Sequence, residues 1–148
     1  LCKIPIILAG GIENKKHSDH AFELGADAIQ VGTRFVTTEE CDADQAYKNT
    51  YIMAKEADVA IVKSPVGMPG RAIINPFMKR VMNGETFSPK KCRQCLEKCS
   101  PKEIPYCITE RLVNAAQGNV DEALLFCGAY SYKAEKMETV KQVIDSLM

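Results

Sequence analysis

Long apolar runs are missing from this chain. The longest, Ile4 to Ala9, is interrupted by Pro5 and falls far short of the ~20 residues needed to span a bilayer. An excess of one charge is missing too, since 19 basic and 19 acidic side chains cancel to zero. There is no basic block of the ~5–8 residues that marks a nucleic-acid patch, which argues against nucleic acid as a partner. No stretch combines a charged start, an apolar middle and a small-residue cleavage site, as a secretory signal does. Internal repeats and low-complexity linkers are likewise absent. What is left is 148 residues, 46% hydrophobic and 26% charged. That is the composition of a globular domain, and it excludes collagen-like and disordered classes.

The chain opens on Leu1 rather than Met, and its first residues already read as a mature buried strand. The expectation is a C-terminal piece of a longer polypeptide. Seven cysteines are an odd number, and four crowd between Lys91 and Cys107. With no export signal, the cytoplasm is the expected compartment, and there clustered cysteines more often serve metals or reactivity than disulfides.

Residues 1–38 spell two strand–helix units. Ile4–Ala9 is a continuous apolar run ending in Gly10-Gly11, which suits a strand buried on both faces of a parallel sheet. Asn14 or Ser18 caps the helix that follows, Ala21, Phe22 and Leu24 fall at helical spacing, and Gly25 is a left-handed stop. A second strand, Ala28–Val31, ends at Gly32-Thr33. Further on, the pattern predicts a helix from Thr38 to Ala57, begun by the acidic Glu39-Glu40. A short strand, Val59–Val62, leads into a Pro/Gly-rich loop or lid over 63–71. Helices are predicted at 74–83, 108–117, 120–132 and 137–147, the last with Val140, Val143, Ile144 and Leu147 on one face. This is α/β grammar.

Glycine at a strand's carboxyl end lets a ligand approach the backbone, and the following helix start presents unpaired N–H groups to an anion. Ala9-Gly10-Gly11 and Val31-Gly32-Thr33 stand one βα unit apart, as do the two phosphate-holding loops of a (β/α)8 barrel. Read alone, these glycines either hold a phosphate or merely terminate strands. Lys63, Ser64 and Arg71 flank the Pro/Gly loop, where the cations match an anionic ligand or simply pair surface carboxylates.

The segments PIILAGGI (5–12), ELGADAIQVGTRFVTTEEC (23–41) and KSPVGMPGR (63–71) resemble the nitronate monooxygenase (2-nitropropane dioxygenase) family, which also contains the FMN-dependent enoyl-ACP reductases. The resemblance implies an FMN-binding (β/α)8 TIM barrel whose last two βα units are these. It implies that Ala9, Gly10, Gly11, Gly32 and Thr33 hold the FMN phosphate, and that Gln30 lies near the flavin. It also implies a catalytic histidine upstream of this chain. His17 and His20 do not match that residue and are expected to face solvent. The implied reaction is oxidation of alkyl nitronates by O2. NAD(P)H-dependent enoyl-ACP reduction and NADH:quinone reduction are alternatives within the family, and this piece alone is expected to be inactive. The implied partners are a small-molecule substrate and the remainder of the barrel, with NAD(P)H and a homo-oligomer left open.

Cys92-x2-Cys95-x3-Cys99-x7-Cys107 has spacing that lets thiolates converge on one metal, with Pro101 and Pro105 shaping the connecting chain. The order leans towards [4Fe–4S], with zinc and unligated thiols as the other readings. Cys2, Cys41 and Cys127 read as small buried hydrophobes. The organisation expected is barrel and loop over 1–87, a Cys-rich metal segment over 88–107 and a helical C-terminal extension over 108–148. A reading of another class, a metal-stabilised interaction domain, would yield colourless protein.

Overall fold

A computed structural model describes residues 3–97 and 99–148, so the reading of Cys2 lies outside the described residues. The first unit runs from strand β1 (Ile7–Ala9) through helix α1 (Lys15–Glu23) to strand β2 (Ala28–Gln30). Asn14 starts α1 by accepting the His17 N–H at 3.1 Å, and Gly25 ends it at φ +95°. The two strands pair in parallel, Ile7 opposite Ala28 and Ala9 opposite Gln30. The Asp27 carboxylate clamps the entry by accepting the Ile6 N–H at 2.7 Å. The expected burial of β1 on both faces is not seen. Ile4, Ile6 and Ile7 are exposed, because β2 is the strand's only partner among the described residues.

Helix α2 (Gln45–Met53) is shorter than the predicted 38–57. It starts at Asp44, whose carboxylate accepts the Ala46 N–H at 2.8 Å. Glu39 and Glu40 lie outside it, in a turn. Buried Lys48 holds that turn by donating to the carbonyls of Thr38 at 3.1 Å and Cys41 at 2.8 Å.

The predicted Pro/Gly loop is largely a strand. Strand β3 (Val59–Lys63) turns back through residues 64–68 into β4 (Pro69–Ile73), which is the centre of an antiparallel sheet ordered β3-β4-β5. Proline is tolerated there because Pro69 is the strand's first residue. Gly70 is required because a Cβ would run into the Phe126 ring. Arg71, half-buried opposite Ile61, sits within β4 rather than on a loop.

Helix α3 (Pro76–Met82) begins at Asn75, which accepts the Met78 N–H at 2.8 Å and donates to the carbonyls of Val120 and Ala123. The described residues of 88–107 carry no helix or strand, only an isolated bridge from Tyr106 to Phe87. Helix α4 (Ile108–Ala116) forms as predicted. The helix predicted over 120–132 does not. Its centre is strand β5 (Leu125–Phe126), flanked by 3-10 turns at Val120–Glu122 and Ser131–Lys133. Leu125 and Phe126 pair with β4, and Ala123, Leu124 and Leu125 are buried, so this tertiary partner overrides the run's helical propensity. Helix α5 (Val140–Leu147) carries a capping box of Thr139 and Gln142 and packs on α1.

Residues 108–148 are therefore woven into the rest rather than appended as a helical extension. Ile12 and Ala21 pack with Val143 and Leu147 of α5. Ile73 of β4 packs with Tyr51, Ala115 and Leu125, and Val62 and Ala72 pack with Phe77, Tyr106 and Leu124. No helix among the described residues is long and apolar enough to cross a membrane.

Candidate functional site

Parallel pairing puts the carboxyl ends of β1 and β2 side by side, so the loops Gly10-Gly11 and Gly32-Thr33 meet. Together with Gln30, they line one cavity. Ala9 stands beside it as the last residue of β1, opposite Gln30. Gly10 and Gly11 adopt φ of +83° and +73° in succession, a conformation that disfavours side chains. A Cβ on either would project into open space rather than protein. The backbone at this wall is bare to anything in the cavity.

A third loop completes the cavity, and the sequence reading missed it. Gly128, Ala129, Tyr130 and Ser131 follow β5 and face the other two loops. The Gly128 N–H donates to the Thr33 hydroxyl at 2.8 Å. A Cβ at Gly128 would sit 3.0 Å from that oxygen, so glycine permits the approach. The Ser131 hydroxyl is buried and has no partner among the described residues. The signal was available: Leu124-Leu125-Phe126-Cys127-Gly128 repeats the apolar-run-then-glycine pattern of the first two loops.

Charge at the cavity is held in place by ion pairs. Arg34 lines the wall and donates to Glu138 at 2.8 Å and Ser146 at 3.2 Å, both from the C-terminal segment. Glu13 at the rim faces Lys133 at 3.5 Å. His17 is half-buried rather than solvent-facing, its ring stacked on Tyr130 with centroids 5.3 Å apart. It backs a residue of the cavity wall. His20 is exposed beside Glu23, as expected. Cys127 is half-buried, and burial pushes its thiol up, against the opposing charge of Arg71.

The cysteines of the 88–107 segment gather elsewhere. Cys95, Cys99 and Cys107 line a second cavity with Pro65, Val66 and Gly67 of the β3–β4 turn. Burial pushes the Cys99 thiol up, and so do the neighbouring Cys92, Cys107 and Cys95. The expected convergence on a point is not met. Among the described residues no three Cys, His, Asp or Glu side chains are grouped to hold a metal ion as they stand. The thiols have other company: Cys92 accepts the Gln94 N–H at 3.4 Å, and Cys95 lies 3.1 Å from the Thr109 hydroxyl.

A sequence model of the nitronate monooxygenase family matches residues 1–148. A probable nitronate monooxygenase of Staphylococcus saprophyticus is 36% identical over 78 residues, 53% of this chain and 22% of its own. One from Staphylococcus aureus is 34% identical over 82 residues, 55% of this chain and 23% of its own. Among solved structures, FabK from Thermotoga maritima matches with a TM-score of 0.76 and 27% identity, covering 99% of this chain and 43% of its own. Nitroalkane oxidase from Streptomyces ansochromogenes shares the fold at a TM-score of 0.71 and 23% identity, covering 99% of this chain and 39% of its own. The chain thus spans under a quarter of the curated relatives' length and under half of these structures. With every residue inside the family model and the glycine loops brought together in one cavity, this chain belongs to the nitronate monooxygenase family, a family of enzymes.

Proposed function

We propose that the three-loop cavity holds the phosphate of FMN, and that the chain is the phosphate-binding part of an FMN-dependent oxidoreductase of the nitronate monooxygenase type. On this reading β1–α1 and β2 are the closing units of a (β/α)8 barrel, where loops after the last two strands commonly take a phosphate. The substrate is an alkyl nitronate, oxidised with O2, and bound flavin supplies the redox chemistry. We place the protein in the cytoplasm, where its thiols stay reduced.

One observation carries the reading. Successive left-handed glycines, Gly10 and Gly11, offer bare backbone opposite Gly32-Thr33 across a single cavity. A phosphate is the ligand best served by such a wall, because N–H groups reach it at close range without side chains in the way. Thr33 uses its oxygen lone pair on Gly128, which leaves the hydroxyl proton for a phosphate oxygen.

A second reading, reduction of enoyl thioesters with NAD(P)H, draws on the likeness to FabK across 99% of this chain. NADH:quinone reduction is a third within the same flavoprotein group. Two measurements on the longer polypeptide expected from the sequence test these readings. Flavin fluorescence titration should show Gly11→Val weakening FMN binding at least about tenfold (~1.4 kcal/mol); equal affinity in the variant sinks the phosphate site. Oxygen uptake with an alkyl nitronate, set against NAD(P)H consumption with an enoyl thioester or a quinone, separates the reactions.

A further inference from the structure

The second cavity lies outside the phosphate site, and its chemistry is that of sulfur. We propose that Cys92, Cys95, Cys99 and Cys107 form a four-thiolate metal site, for zinc or an iron–sulfur cluster, seated against the turn between β3 and β4.

Three features of the structure support this. Cys95, Cys99 and Cys107 already open onto one cavity, the first two from irregular stretches and the third from the residue before α4. Cys92 precedes Gln94, which is the one non-glycine residue at positive φ (+49°) among the described residues, and the Gln94 N–H points at the Cys92 sulfur. That strained turn aims a backbone donor at the sulfur. Cys107 is the residue that begins the nine-residue α4, and its side chain makes no capping bond.

The surroundings match the charge of such a centre. Four thiolates around zinc or a doubly positive cluster leave two negative charges, and Lys90, Lys91, Arg93 and Lys102 are close by in sequence. Lys90, Lys91 and Arg93 also line a surface hollow that reaches Cys107. The rest of the cavity lining is apolar, Pro65, Val66, Ile104 and Ile108 among it, apart from Glu97. Each thiol releases its proton on ligation. Closing the sulfurs onto one centre calls for rearrangement of the segment 92–107, whose described residues carry no helix or strand. The site then ties the hairpin turn at Pro65–Gly67 to the Cys-rich segment.

The test is metal analysis of the chain purified without oxygen from cells supplied with iron and zinc. The expected result is either iron with acid-labile sulfide or about one equivalent of zinc, falling below about a tenth in Cys95→Ser/Cys99→Ser and unchanged in Cys41→Ser. Iron with sulfide identifies the cluster, and zinc without sulfide identifies the mononuclear site. Because the double variant risks misfolding, the wild-type chain is also stripped and titrated with Co2+. A tetrahedral thiolate-to-cobalt charge-transfer band is expected. Metal-free protein that also gives no such band overturns the site, as does full metal retention in the double variant.

Discussion

The carboxylate of Glu40 accepts the backbone N–H of Val140 with both oxygens, at 3.0 and 2.9 Å, from 100 residues away in the chain. An acidic pair that looked like the start of its own helix instead caps the first turn of α5. The neighbouring strand of contacts runs the same way. The Glu39 N–H donates to the Glu138 carbonyl, the Glu138 N–H to the Thr37 carbonyl, and the Glu138 carboxylate holds Arg34 at the cavity wall. The C-terminal segment is thus tied to the loop that follows β2.

Glu40→Ala removes that cap while leaving the Thr139–Gln142 capping box in place. The expected loss is about 1 kcal/mol of stability, in line with helix N-caps elsewhere. Amide exchange is expected to quicken at Val140 and in the first turn of α5. Unchanged exchange there would show that the capping box alone holds the helix end.

Thr33→Val deletes the oxygen that accepts the Gly128 N–H while keeping the side chain's shape. The buried donor is left unpaired, at about 1–2 kcal/mol, and the third loop loses its tie to the second. FMN affinity in the longer polypeptide is expected to fall roughly tenfold, with Thr33→Ser restoring most of it. Equal affinity in wild type and Thr33→Val would remove this pairing from the site.

Tyr51 is fully buried, donates to the Phe126 carbonyl at 2.6 Å and meets the Tyr47 hydroxyl at 2.8 Å. Burial, reinforced by Tyr47, holds its hydroxyl protonated far above the ordinary value of 10.0. The unfolded chain releases this proton near pH 10 and the folded chain does not. Above pH 10 the unfolded state therefore binds fewer protons, and stability falls as pH rises; below pH 10 the group has no effect. The slope from this one group approaches roughly 1.4 kcal/mol per pH unit. Urea midpoints at pH 9 and pH 11 should converge in Tyr51→Phe relative to wild type. Identical pH slopes would mean Tyr51 ionises freely in the folded protein.

The parts of the fold that could be read directly are those built from short-range signals. Asn14 and Gly25 bracket α1 by their own conformational preferences, and β1 and β2 announce themselves as apolar runs closed by glycine. α3 and α4 were legible from the glycines just past their ends, Gly84 and Gly118, and α5 from its single apolar face. The Pro/Gly stretch misled because Pro69 and Gly70 are strand breakers in general. At this position one is the strand's first residue and the other sits against the Phe126 ring. Residues 120–132 misled because their spacing fits a helix, whereas Leu125 and Phe126 are claimed by the edge of β4.

The amino-acid order by itself determined the two βα units, the glycine pairs at their ends and the family they mark, because turn chemistry and apolar periodicity act over a few residues. Tertiary structure alone decided that Gly128–Ser131 joins those glycines, that Glu40 serves a helix 100 residues away and that the cysteines gather beside a hairpin turn. Those outcomes depend on which distant backbone groups are left needing a partner, and only the folded chain brings them within hydrogen-bonding reach.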